Sequence, residues 1–88
     1  MKIRLFGATD CQDCLNSLVL IKKSHISFEY VDIDDMEPGV QEFCDKNNVD
    51  QIPHIQFLSD NECVIFEHVG PVSLDRFTQY IIDFFPGY

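Results

Sequence analysis

Residues 2–23 read KIRLFGATDCQDCLNSLVLIKK, and the change of period within this stretch decides the fold. Lys2–Phe6 alternates polar and apolar side chains, the pattern of a strand with one buried face, until Gly7 breaks it. Thr9 and Gln12 stand at capping-box spacing, Thr-x-x-Gln, just ahead of an apolar run. Leu15, Leu18, Val19 and Ile21 recur near a 3.6-residue period, which predicts a helix from about Cys11 to Lys23. Lys22 and Lys23 suit the negative end of its dipole. The chain therefore opens as a strand that turns into a helix, with two cysteines at the junction.

Downstream of this unit, Ser27–Asp34 is aromatic and β-branched and reads as a second strand. Glu37-Pro38-Gly39 is a turn, after which Val40, Phe43 and Cys44 mark one face of a short helix ending near Asn47-Asn48. Ile52-Pro53 precedes a third strand, His54–Leu58, and a turn at Ser59–Glu62 leads into a fourth, Cys63–Val69, as an antiparallel hairpin. Ser73 is a fair N-cap for a last helix whose apolar face is Leu74, Phe77, Ile81, Phe84 and Phe85. The order is β-α-β-α-β-β-α. A helical crossover makes the first two strands parallel, so the expected fold is a small mixed sheet with helices on it.

At 88 residues the chain has the length of a single domain, 1–88, with a thin core to which eight Phe and three Tyr contribute large buried area. Six Lys plus Arg against 15 Asp plus Glu give a net charge of −9. A surface that acidic repels phosphate backbones and anionic lipid, so neither nucleic acid nor membrane is an expected partner. The longest apolar run, Leu18–Ile21, is far below the ~20 residues needed to span a bilayer. The opening MKIRLFGATD has two cations but no apolar stretch of signal-peptide length, so the expected location is cytoplasmic. In a reducing compartment four cysteines point to redox or metal chemistry.

Cys11-Gln12-Asp13-Cys14 carries that chemistry. Cys11 falls at a helix N-terminus, where unpaired N–H groups and the dipole favour the thiolate that attacks disulfides. Cys14, in the first turn, is placed to attack the resulting mixed disulfide and release the partner. Two other readings compete. As a staple, so short a ring contributes only about 2 kcal/mol and links residues the helix already holds. As a metal site, one CxxC supplies two ligands, and Cys44, Cys63, His54 and His68 form no second tight pair.

Taken together, the CxxC after the first strand, Ile52-Pro53 opening the third and Glu67-His68-Val69-Gly70 before the last helix resemble the thioredoxin superfamily over nearly the whole chain. Residues 47–70, NNVDQIPHIQFLSDNECVIFEHVG, look like the second half of thioredoxin. The short N-terminus, starting directly at the CxxC-bearing strand, looks like glutaredoxin. The resemblance implies a thioredoxin fold, a four-stranded mixed sheet flanked by three helices. It also implies a thiol–disulfide oxidoreductase in which Cys11 attacks and Cys14 resolves. Ile52 and Pro53, joined by a cis bond, would wall the substrate, and Gly70 would leave room for a partner's backbone. No bound cofactor is implied beyond a redox-active Cys11–Cys14 disulfide. The implied partners are a disulfide-bearing protein substrate and, as electron donor, thioredoxin reductase or glutathione, with the chain itself a monomer.

The chain departs from that pattern at several points. Thioredoxin's Trp before the first Cys is Asp10, and its Gly-Pro between the cysteines is Gln12-Asp13. Thioredoxin's buried acid, six residues before the first Cys, falls on Leu5, which leaves proton handling in the second step unassigned. Glutaredoxin's Thr-Val-Pro is Gln51-Ile52-Pro53, and its Gly-Gly is Gly70-Pro71; Asp75 could mimic its glutathione-binding acid, but an Asp in a first helical turn is usually a dipole partner. Asp10 and Asp13 flank Cys11, and neighbouring anions disfavour a thiolate. They are therefore expected to hold the potential near thioredoxin's, about −270 mV, and away from the strong oxidant's, about −120 mV. From another class comes the alternative of a non-enzymatic binding or redox-regulatory module. Cys44 is expected as a buried inert thiol, Cys63 as a plain strand residue and His54 as a solvated strand-edge side chain. His25 and His68 have no assigned partner, and Asp32, Asp34, Asp35 and Glu37 read as a solvated acidic face.

Overall fold

The computed structural model describes residues 1–87. Among these, the elements follow in the expected order: β1 (Lys2–Gly7), α1 (Gln12–Lys23), β2 (Phe28–Asp32), α2 (Val40–Lys46), β3 (His54–Leu58), β4 (Val64–Val69) and α3 (Leu74–Phe84). The sheet runs β2-β1-β3-β4. β1 and β2 are parallel, with Leu5 opposite Tyr30 and Gly7 opposite Asp32. β3 is antiparallel to both neighbours, its register to β4 shifting at Phe57/Leu58. β1 and β3 are thus central, and every residue of β3 is buried.

Alternation along the strands divides the sheet's side chains between two layers. Ile3, Leu5, Ile55 and Phe57 join Ile21 of α1 and Phe77 of α3 in one apolar core. At its centre the Phe57 ring has Phe66, Phe77, Tyr80, Phe84 and Phe85 within 6.4 Å, centroid to centroid. On the other face Phe43 of α2 covers Phe6, 5.9 Å away, and carries the Arg4 guanidinium 4.9 Å above its ring.

In each long helix, part of the expected apolar face points outward. In α1 the inward residues are Cys14, Ser17 and Ile21, while Leu15 and Val19 are 40% and 48% exposed. The small side chains of Cys14 and Ser17 let the helix lie close to β1, and that approach turns Leu15 and Val19 outward. The helix is capped by Cys11 rather than by a Thr9 capping box; the Cys11 sulfur accepts from the Cys14 N–H at 3.2 Å. In α3, Ser73 caps as expected, accepting from the Arg76 N–H at 3.1 Å, but Leu74 is 63% exposed. Tyr80 packs against the core beside Ile81 and Phe84.

His54 is not a solvated edge residue. Its strand is interior, it is 3% exposed, and its Nε2 lies 3.1 Å from Glu67 Oε1. The same carboxylate oxygen accepts from Gln56 Nε2 at 2.8 Å, and Gln56 Oε1 accepts from Arg4 Nη1 at 2.9 Å. Arg4 Nε in turn donates to Glu29 at 2.8 Å, and Asn47, the C-cap of α2, accepts from Gln56 at 3.1 Å. A polar ladder therefore crosses the sheet from β2 to β4 beneath α2. His68, for which no partner was expected, lies 2.8 Å from the Tyr80 hydroxyl and 3.0 Å from the Pro71 carbonyl. Only Nε2–H can serve that carbonyl, so in the neutral ring Nδ1 accepts from Tyr80. Cys63 precedes β4 and is exposed, not a strand residue.

Two outcomes follow for stability. Phe57→Ala should cost about 3–5 kcal/mol in urea denaturation, whereas Leu74→Ala should stay within about 1 kcal/mol of wild type. Hydrogen bonds, first from Gln56 and then from His54, hold the Glu67 carboxyl below its ordinary value. A depressed carboxylate stabilises the fold above its unfolded value and loses that contribution as pH falls through the folded one. The stability gap between wild type and Glu67→Gln should therefore be widest above about pH 5 and close toward about pH 3, and a pH-independent gap would refute this.

Candidate functional site

Register brings the expected site residues to one end of the sheet. β1 ends there at Gly7, four residues before Cys11, and Phe6 pairs with His54, the residue after Pro53. His54 also pairs with Val69, so Gly70 arrives at the same end; its N–H donates to the Pro53 carbonyl at 2.7 Å. β2 closes the group through the Ile33 N–H, which donates to the Gly7 carbonyl at 2.9 Å. Cys11, Cys14, Ile52, Pro53 and Gly70 thus share one rim.

Cys11 and Cys14 are joined as a disulfide, with Cα atoms 5.2 Å apart. Cys11 has extended backbone and is half-buried at the start of α1, whereas Cys14 is fully buried beneath it. The two sulfurs are therefore unequal in access. An incoming group reaches Cys11, and Cys14 is placed to act only from inside. Asp10 and Asp13 are exposed on either side of Cys11.

Opposite the pair, Pro53 is buried, Ile52 is half-buried and the bond between them is cis. Gly70 has φ +97°, which only glycine adopts without strain, and no atom lies within 4 Å of where its Cβ would stand. The surface beside Pro53 is accordingly open. Next to Ile52 runs a groove of about 390 Å³ with Ile33, Val49 and Ile52 in its lining and Asp34, Asp45 and Asp50 around it. Cys44 also borders it, but that thiol is 4% exposed, and burial, followed by the charge of Asp45, pushes its pKa up. This is the buried cysteine expected from sequence. Asp75 is exposed in the first turn of α3. Among the described residues no three His, Cys, Asp or Glu side chains are grouped as a metal ion would need. None of the described helices is long and apolar enough to cross a membrane.

Sequence reasoning passed over Tyr30. A Cβ on Gly7 would meet Cys14 Cβ at 3.0 Å, Cys14 Sγ at 3.2 Å and the Tyr30 hydroxyl at 3.2 Å. The inner sulfur and the phenol therefore crowd the same spot above Gly7. Only the β1–β2 register, which sets Tyr30 beside Leu5, exposes this proximity.

No protein-family model matches this sequence, and no curated protein matches it. Solved structures do. Thioredoxin O2 from Arabidopsis thaliana, in its oxidized state, is similar over 94% of this chain and 73% of its own, with 28% identity and a TM-score of 0.73. Thioredoxin 1 from Thermosipho africanus covers 94% of this chain and 97% of its own at 20% identity and a TM-score of 0.66. A point-mutant thioredoxin from Halobacterium salinarum reaches a TM-score of 0.78 at 18% identity, over 94% of this chain and 73% of its own. The last two likenesses are of fold. With a cysteine pair of unequal access at the head of α1, on a topology that thioredoxins match over nearly its whole length, the chain belongs to the thioredoxin superfamily and has a thiol–disulfide role of the thioredoxin type.

Proposed function

We propose that the protein is a dithiol–disulfide oxidoreductase that reduces or exchanges disulfides through Cys11 and Cys14. The observation that carries this reading is the inequality of the two sulfurs: Cys11 half-buried at a helix N-terminus, Cys14 fully buried one turn inside. In the reduced protein the Cys11 thiolate attacks one sulfur of a partner's disulfide, and the other partner sulfur leaves with the electron pair and takes a proton. Cys14 then attacks Cys11, the bond from Cys11 to the partner breaks, and the second partner sulfur leaves as a thiol. The partner is reduced and the pair is oxidised. Two electrons from thioredoxin reductase or glutathione return the pair to the dithiol. Ile52, Pro53 and Gly70 form the wall along which the partner's backbone lies.

The partner is a disulfide-bearing protein with basic residues near its disulfide. The chain's net charge is −9, and Asp34, Asp45 and Asp50 surround the groove that continues from Ile52. An acidic rim raises the encounter rate of cationic partners and penalises anionic ones. The protein acts as a cytoplasmic monomer.

A second reading, a redox-regulated binding module, draws on one observation: Asp10 and Asp13, both exposed, flank the outer sulfur. Two measurements separate the readings. Insulin or small-disulfide reduction should be abolished in Cys11→Ser, and wild-type Cys11 should alkylate at pH 6 much faster than free cysteine. Retained reduction in Cys11→Ser, or Cys11 labelling at the rate of free cysteine, rejects the enzyme. In a glutathione redox buffer, Asp13→Asn should move the potential upward by tens of millivolts, since about 30 mV corresponds to about 1.4 kcal/mol. An unshifted potential would show that this carboxylate does not govern the site.

A further inference from the structure

Cys14 has to become a thiolate in a place where water does not solvate it. It is fully buried, and Leu5, two residues before Gly7 on β1, is apolar and also fully buried. A bare thiolate there is costly unless a donor faces it. The polar group at hand is the Tyr30 hydroxyl. It and Cys14 Sγ each lie 3.2 Å from one point above Gly7, and Tyr30 otherwise packs against the apolar core.

We propose that Tyr30 holds the resolving thiol, donating a hydrogen bond from its hydroxyl to the Cys14 thiolate once the disulfide opens. The proposal rests on the oxidoreductase reading and assigns the group that governs its second step. In the mixed disulfide, the Cys14 proton passes out to bulk solvent and the sulfur, now an acceptor, takes the Tyr30 O–H. The Cys14 thiolate then bonds to Cys11 Sγ, and the Cys11–partner bond breaks. Its electron pair leaves on the partner sulfur, which is protonated, so no outside oxidant or reductant enters. Tyr30 keeps its proton throughout. Burial first, and then the charges of Asp32 and Asp34, raise its phenol above the ordinary value, so at neutral pH it is a donor and not a base. Gly7 is part of the arrangement, because any side chain there would occupy the space that both groups border.

Tyr30→Phe removes the oxygen and keeps the ring. In a Cys11→Ser background, the rate of Cys14 alkylation, followed on its own peptide by mass spectrometry, should titrate at least about one pH unit higher when Tyr30 is Phe. Release of a chromophoric thiol from a preformed mixed disulfide at Cys11 should be about tenfold slower near pH 7, with the melting temperature little changed. An unshifted Cys14 titration with unslowed release would overturn the assignment. That titration needs no turnover, so it separates the two ideas. Disulfide reduction surviving Cys11→Ser removes the enzyme, whereas a Cys14 titration indifferent to Tyr30→Phe removes only the role of Tyr30.

Discussion

The close approach of α1 to β1 at Gly7 is the constraint on which the site depends. Cys14 stands where a Cβ of residue 7 would collide with it, at 3.0 Å to its own Cβ and 3.2 Å to its sulfur. With glycine there, and with Cys14 and Ser17 as the small inward residues of the first turns, the helix seats its N-terminus on the end of the strand. Cys11 then becomes the N-cap, its sulfur accepting an otherwise orphaned helix N–H, and only this sulfur faces outward. Helix phase, access of the two thiols and the outward turn of Leu15 and Val19 are one packing decision.

The two faces of the sheet are stabilised by different physics. Beneath α1 and α3 the layer is apolar and rich in phenylalanine, and area burial governs it. Beneath α2, buried His54 and Gln56 and the guanidinium of Arg4 are ordered by hydrogen bonds to Glu67, Asn47 and Glu29. A polar ladder in low dielectric stabilises only when its members are partnered, and truncating one leaves the next exposed to the full desolvation cost. His54 follows Pro53 directly, so the ladder also anchors the strand whose start forms the wall of the site.

The topology was legible because periodicity switches cleanly at Gly7 and because a helical crossover admits one hand. His54–Leu58 matched to the residue, since Pro53 and the Ser59 turn bracket it. Cys11, Cys14 and Pro53 were legible for a different reason: thiol chemistry and proline geometry are properties of residue types. What sequence missed depends on neighbours brought from afar. His54 looked like an edge residue because strand order is not written in a strand, and β3 proved central. Leu74 looked inward because it shares the spacing of the apolar face of α3, but it stands at the first residue of the helix and is largely exposed. Tyr30 looked like generic strand filling, since only the parallel register places it beside Leu5, with its hydroxyl and the Cys14 sulfur both bordering the space above Gly7.

Charge links this rim to a choice of partner. Asp10 and Asp13 beside the outer sulfur oppose the thiolate that the helix N-terminus favours, so the site has two electrostatic influences of opposite sign. The proposed cationic partner would change that balance. On the proposed reading, positive charges docked against Asp34, Asp45 and Asp50 would neutralise part of the acidic field of this rim while the attacking sulfur is being aligned. Surface charges separated by more than about 8 Å are largely screened at physiological ionic strength, so the effect belongs to the docked complex and not to the free protein at a distance. On that reading, acidic side chains both restrain the thiolate in isolation and select the surface that would relieve the restraint, which would tie reactivity to recognition.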